Sequence, residues 1–280
     1  MGHIAIVTES SANIPPEVVQ ELGIHVVPVG VIVGGQAFRD GVDITPDQVY
    51  RWQREGKSLP TTAAPSVGDF VRVYESLAER TPDVVSIHMS RRLSVSHDAA
   101  LQASRLVDGA NVHVLDSRAA AMAQGFMVIE AARAARAGAT VEEVLARANE
   151  VASRVHLLFT LGTLKYLYRG GRVGLAAALA ASMLEIRPVL ALIDGRIEPI
   201  AKTRTKARAV RAIVAEMVRI VGERPLHTTV FHADVADEAE TLRQTVVERF
   251  HCVELYVTAM TPVMGAHTGP GLLGTTFYAD

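Results

Sequence analysis

The sequence has a single cysteine, Cys252, in 280 residues. One thiol excludes an internal disulfide and a cage of cysteine ligands, which fits a reducing compartment. Aromatic residues make up only 5% of the chain, so Ala, Val, Leu and Ile must build the core. Long apolar runs are also missing. The longest weakly charged stretch, Val173 to Leu184, falls short of the ~20 residues that cross a bilayer. The start, Met1-Gly2-His3-Ile4, carries no basic leader, so no secretory signal is expected and a cytoplasmic location is. Neither sign of charge is in excess. The 28 basic and 30 acidic residues give a formal net charge of -2, without the basic footprint that nucleic-acid binding usually leaves.

Several signatures of catalysis are absent as well. There is no P-loop lysine motif, no G-x-S-x-G elbow and no H-E-x-x-H pair, so neither a cofactor nor a metal is expected. Gly269-Pro270-Gly271-Leu272-Leu273-Gly274 spells G-x-G-x-x-G, but only six residues follow it. A dinucleotide fingerprint must open a helix and lead to a second strand, so NAD is excluded.

What is present is an α/β pattern, in which short β-branched runs alternate with helical spacing. The first half predicts strands at His3–Thr8, His25–Val33, Val84–Met89 and Asn111–Leu115. The second half predicts His156–Leu161, Val189–Ile193, Thr228–His232, Val253–Ala259 and Leu273–Tyr278. Thr45-Pro46-Asp47-Gln48, Ser66-Val67-Gly68-Asp69 and Thr140-Val141-Glu142-Glu143 read as helix starts. Val141, Val144, Leu145, Ala148, Val151 and Val155 then recur at the spacing of one buried helical face.

A domain break is expected near Val155, giving units 1-155 and 156-280. The first should hold a parallel sheet flanked by helices. In the second, Val189–Ile193 and Arg196–Ile200 flank a Gly195 turn, which predicts a mixed or antiparallel sheet. A ligand cleft between two such domains is the default expectation.

Hydroxyl residues gather where strands end. They are Thr8-Glu9-Ser10-Ser11, Thr61-Thr62 ahead of the helix capped at Ser66, Ser90, Ser94 and Ser96, and Asp116-Ser117. Ligands of open α/β sheets sit beyond the carboxyl ends of the strands, and helix N-termini there suit a carboxylate or phosphate. Each Ser or Thr taken alone is equally a helix cap. Arginines form a second group, in Tyr168-Arg169-Gly170-Gly171-Arg172 and in the run Lys202, Arg204, Lys206, Arg208, Arg211. Arg172 and Arg204 are candidates to face an anion, while most of the run reads as a solvated helix face.

Taken in order, these blocks resemble the DegV family across almost the whole chain. A strand ending in T-D-S-S before L-P corresponds to Thr8-Glu9-Ser10-Ser11-Ala12-Asn13-Ile14-Pro15. P-x-T-S-x-P-S corresponds to Pro60-Thr61-Thr62-Ala63-Ala64-Pro65-Ser66, and I-S-S-x-L-S-G-T-Y to Met89 through His97. Asp116-Ser117 matches a further block, and Thr163 through Arg172 matches T-L-x-Y-L-x-x-G-G-R. Lys202 through Ala207 and Gly265 through Gly271 complete the set.

The resemblance implies a carrier, not an enzyme, that holds a long-chain fatty acid in a ligand tunnel between two α/β domains. It places the carboxylate near Thr61, Thr62 and Ser94, with His267 close by. It further implies a separate ATP-dependent fatty acid kinase as partner, served by Arg172, Arg204 and His267, and leaves room for transient contact with a membrane. Leu175 to Leu184, whose alanines leave space, is a candidate lining for the apolar slot and reads equally as an alanine-rich helix packed closely on the sheet. The sequence departs from the family pattern in three places: Glu9 for Asp, Arg91 for Ser, and Val95-Ser96 for Gly-Thr. Valine holds the loop after Ser94 to negative φ. The alternative reading is a hydrolase or transferase of an anionic small molecule, using Ser94 or Ser96, His267, and Glu9 or Asp116.

Overall fold

The computed structural model describes residues 4–56, 59–177 and 186–280. His3 and the expected slot positions Ala178 to Leu184 lie outside the described residues. Two compact units are formed, Met1–Gly30 with Ala63–Ser153 and Val31–Thr62 with Arg154–Asp280.

The chain opens with β1 (Ile4–Glu9), α1 (Pro16–Leu22) and β2 (His25–Val27). It then passes through β3 (Gly30–Val33), β4 (Gln36–Arg39), α2 (Pro46–Glu55) and β5 (Thr61–Ala63), a segment that falls almost wholly in the second unit. Its strands make a small sheet in the order β4-β3-β5. The first unit resumes with α3 (Val67–Ala78), β6 (Asp83–His88), α4 (Ser96–Ser104) and β7 (Asn111–Asp116). It closes with α5 (Ala121–Arg136) and α6 (Val141–Arg154).

The first unit is a parallel sheet ordered β2-β1-β6-β7. One face is covered by α3 and α4, whose Phe70, Tyr74, Leu77, Ala100 and Ala103 pack on Ala5, Val7 and Val84. On α5 every residue from Ala121 to Ala132 is buried, as expected of a helix apolar on most sides. Gln124 of α5 donates from Nε2 to Thr8 Oγ1 at 2.9 Å. The expected parallel sheet flanked by helices is therefore present.

The second unit contains β8 (His156–Thr160), α7 (Lys165–Arg169), β9 (Val189–Ile193), β10 (Arg196–Ala201) and α8 (Lys206–Val221). These are followed by β11 (Leu226–His232), α9 (Ala236–Arg249), β12 (Cys252–Ala259), α10 (Pro262–Thr268) and β13 (Leu273–Ala279). Its sheet runs β10-β9-β8-β13-β11-β12 and is antiparallel except for the β11–β12 pair. This is the mixed sheet that the close strand pairs predicted. Ile213 and Met217 of α8 and Leu242 and Val246 of α9 pack on Leu158, Val189, Val230 and Phe277. Asp194 and Gly195 both take positive φ, 45° and 75°, the conformation that closes a two-residue hairpin.

The predicted helix starts form as capping boxes. Thr45 N donates to Gln48 Oε1 at 2.8 Å, and Thr140 N to Glu143 Oε2 at 2.8 Å with Glu143 N returning to Thr140 Oγ1 at 3.3 Å. Two local expectations differ from the structure. The predicted strand His25–Val33 is broken in two, because Pro28 has no amide hydrogen to donate and Val29 N donates instead to Ser10 Oγ at 3.0 Å. Thr61-Thr62, read as a lead-in to α3, forms the edge strand β5, which suits two β-branched residues between Pro60 and Pro65.

Candidate ligand-binding site

In the second unit, β5 brings Thr62 to α10. Thr62 Oγ1 and His267 Nε2 are 2.8 Å apart. The neighbouring Thr61 is exposed. His267 lies in the last turn of α10, and its imidazole rests on Gly170, the residue after α7. A Cβ at position 170 would overlap His267 Nδ1, so only glycine allows the ring to lie there. Arg172 is exposed and donates from Nη1 to the Gly170 carbonyl at 2.6 Å. Arg204 is exposed between β10 and α8. In the basic run, Lys206 Nζ pairs with Glu238 Oε2 at 2.8 Å, in keeping with a solvated helix face.

Burial, with a smaller push from the Arg172 guanidinium, lowers the His267 imidazole to about 4 from 6.5. At neutral pH this histidine is therefore uncharged, with one ring N–H to donate and one lone pair to accept. The depressed value also gives stability a direction. Between pH 6.5 and about 4 the unfolded chain binds a proton that the folded chain refuses, so stability falls as pH drops through that window. Urea midpoints measured across it should decline in the parent protein and decline less in His267→Gln.

In the first unit, the loop after β6 is built from hydroxyls. Leu93 N and Ser94 N both donate to the Ser90 carbonyl, at 2.9 and 3.0 Å. Ser94 Oγ lies 2.8 Å from Ser96 Oγ and accepts from Ser96 N at 3.2 Å at the start of α4. Val95 has φ -90°, so the family's glycine is not required for this backbone, and its side chain is 64% exposed. Arg91 pairs on the surface with Asp98, Nε to Oδ1 2.8 Å.

Beneath this loop lies a network that local sequence patterns did not announce. Glu9, at the end of β1, is fully buried and bonds to His88 Nδ1, while His88 Nε2 is 2.7 Å from Ser86 Oγ. Ser86 Oγ is in turn 2.8 Å from Tyr74 OH. The other Glu9 oxygen accepts from Ser11 Oγ at 2.8 Å, Met89 N at 2.9 Å and Gln124 Nε2 at 3.1 Å. Burial alone would raise the Glu9 carboxyl, but the electrostatic attraction and hydrogen bond of His88, with hydrogen bonds from Met89 N and Ser11 Oγ, outweigh it and hold it below the usual range. The order carboxylate, imidazole, hydroxyl resembles a nucleophilic triad. All three members have 0% exposure, so no substrate reaches the hydroxyl and the network acts as a structural support. Its sequence signal was faint, namely Ser86 and His88 alternating with apolar residues along one strand.

The catalytic alternative requires Ser94 or Ser96, His267, and Glu9 or Asp116 to cooperate. The structure engages Ser94 with Ser96, His267 with Thr62, and Glu9 with His88. Among the described residues, no group of three or more His, Cys, Asp or Glu could hold a metal. No described helix is long and apolar enough to cross a membrane.

Fold and site together define a protein of two α/β units, the second of which brings a threonine hydroxyl onto a neutral imidazole with the exposed Arg172 beside it. The chain belongs to the DegV family, whose model, described as "Uncharacterised protein, DegV family", matches residues 3–280. A DegV domain-containing protein of Streptomyces coelicolor is 38% identical over 274 residues, covering 97% of each chain. Two solved structures are similar over the full length of both chains. One concerns fatty acid binding by a DegV family protein from Thermus thermophilus, with 33% identity and a TM-score of 0.95. The other is DegV of Bacillus subtilis, described as a fatty acid binding protein, with 29% identity and a TM-score of 0.93.

Proposed function

We propose that this protein binds a long-chain fatty acid and acts as a carrier, not an enzyme. The observation that carries the reading is the hydrogen bond between Thr62 and His267, in a chain that matches fatty-acid-binding relatives from end to end. A carboxylate needs donors. The Thr61 and Thr62 hydroxyls and the neutral His267 ring supply them without a metal, and bonds to an ionised acceptor are the stronger kind. Ser94, in the first unit, is a further candidate donor to the carboxylate. The acyl tail supplies most of the affinity, at ~0.8 kcal/mol for each methylene removed from water.

The carrier then presents the head group to a separate ATP-dependent kinase. There a carboxylate oxygen attacks the γ-phosphorus of ATP, forming an acyl phosphate and releasing ADP. Arg172 and Arg204 are exposed and cationic, as guiding a phosphoryl group requires. The cytoplasm is the compartment that suits this exchange, with transient membrane contact where the acid is collected.

The test separates the two roles. Ser94→Ala should weaken retention of added oleate while the protein stays folded, its melting temperature falling only by the modest amount that loss of the Ser96 N acceptor brings. Arg172→Ala should leave oleate binding intact while slowing acyl phosphate formation by a fatty acid kinase. Unchanged retention in Ser94→Ala removes that residue from the head group, and lost binding in Arg172→Ala moves the arginine into the pocket.

A further inference from the structure

His267 sits on a helix of seven residues, Pro262–Thr268, too short to hold its own orientation in water. Something must fix it, and the contacts converge from one segment. Asp40 Oδ1 accepts from Val263 N at 3.0 Å at the start of α10. Tyr50 OH donates to the Met260 carbonyl at 3.2 Å, just ahead of the helix. Gln53 Nε2 donates to the Gly265 carbonyl at 2.9 Å, two residues before the histidine. Thr62 then meets the imidazole itself. Asp40, Tyr50 and Gln53 are all buried, so each bond is shielded from competing water.

The packing is as close as the bonding. A Cβ on Gly265 would lie 2.8 Å from Tyr50 Cε1 and 2.9 Å from its hydroxyl, so the tyrosine ring touches the helix backbone directly. At the far end of α2, Arg54 pairs with Asp234 in the turn after β11. Asp40, Tyr50, Gln53 and Thr62 all belong to Val31–Thr62, the excursion that packs with the second unit although β2 and α3 on either side of it belong to the first.

We infer that Val31–Thr62 is a brace for the ligand head group, in which Asp40, Tyr50 and Gln53 are positioning residues that set the place and orientation of His267. The inference rests on the reading that His267 meets the carboxylate of the bound acid, and it names what aims that residue. These three side chains act through the α10 backbone, not through the ligand, so their loss should mis-aim the imidazole before it unfolds the protein.

The experiment uses full-length protein and two readouts, oleate affinity and the NMR titration of the His267 ring without ligand. Gln53→Met fills the same space without the donor, and Asp40→Ala removes the acceptor. Each should weaken oleate binding about three- to tenfold and shift the His267 titration toward that of an ordinary histidine. Asp40→Asn keeps an oxygen for the Val263 amide and should stay within about twofold of the parent, with the titration unmoved. Should the two disruptive variants fail to fold, Tyr50→Phe removes one hydrogen bond and retains the ring on Gly265, and its titration should move in the same direction.

Parent-like titration and affinity in Gln53→Met and Asp40→Ala, or in Tyr50→Phe where those do not fold, would overturn the inference. A lowered melting temperature alone would do the same, since it marks plain packing. If the parent protein binds no oleate, the proposed function fails, while the titration still tests the brace by itself.

Discussion

Glu9→Ala is expected to lower the stability of the first unit by about 3 kcal/mol or more, since each buried polar group left without its partner costs about 1–3 kcal/mol. The carboxylate is surrounded by His88, Ser11, the Met89 amide and Gln124, so alanine orphans several buried polar groups at once. Glu9→Gln keeps acceptor oxygen but loses the charge opposite His88, and should cost less. Glu9→Asp, the residue usual in the family pattern, is one methylene too short to keep all of these contacts with His88 unmoved. Urea unfolding of the single and double variants gives the coupling. The Glu9→Ala and His88→Ala effects should fall short of additivity by about 1–3 kcal/mol. Additive effects would mean that the two side chains do not support one another. The loop bearing Ser94 hangs on the same network through Met89 N, so oleate retention should fall along with stability.

The second large effect concerns the head group. His267→Ala and Thr62→Ala should each weaken oleate binding about tenfold to a hundredfold, the loss expected when a bond to an ionised acceptor is removed. Isothermal titration of delipidated protein measures it directly. Because His267 stays neutral until about pH 4, its contribution should be level from about pH 6 to pH 8, where a histidine of ordinary pKa would show a slope. Affinity that climbs steeply toward pH 6 would mean that the imidazole is protonated in the complex. Melting temperatures near that of the parent keep the result free of unfolding, since Thr62 is on the edge strand β5 and His267 near the end of a short helix.

The contrast between what was legible and what was not follows from distance along the chain. Capping boxes at Thr45 and Thr140 and the tight Asp194-Gly195 hairpin join residues three apart, and their chemistry is written locally. The parallel sheet of the first unit and the mixed sheet of the second follow from strand spacing. The Glu9–His88 pair joins residues 79 positions apart, and Gln53–Gly265 joins residues 212 apart. No local periodicity records such a meeting. The same holds for Val31–Thr62, whose own pattern of short strands and one capped helix says nothing about which unit it joins. Thr61-Thr62 shows the intermediate case. Its β-branched pair favours a strand, but the capping signal at Ser66 just downstream spoke for a helix, and both were present side by side. Of the residues proposed for the head group, Thr62 and His267 are brought together by the fold, whereas their pairing was legible only through resemblance to the family.

The central claim is that this protein carries a fatty acid, and mass spectrometry of an organic extract from gently purified, never-delipidated protein tests it most directly. The account predicts a long-chain fatty acid in near-stoichiometric amount. An empty extract, followed by failure to take up added oleate or palmitate, would contradict it.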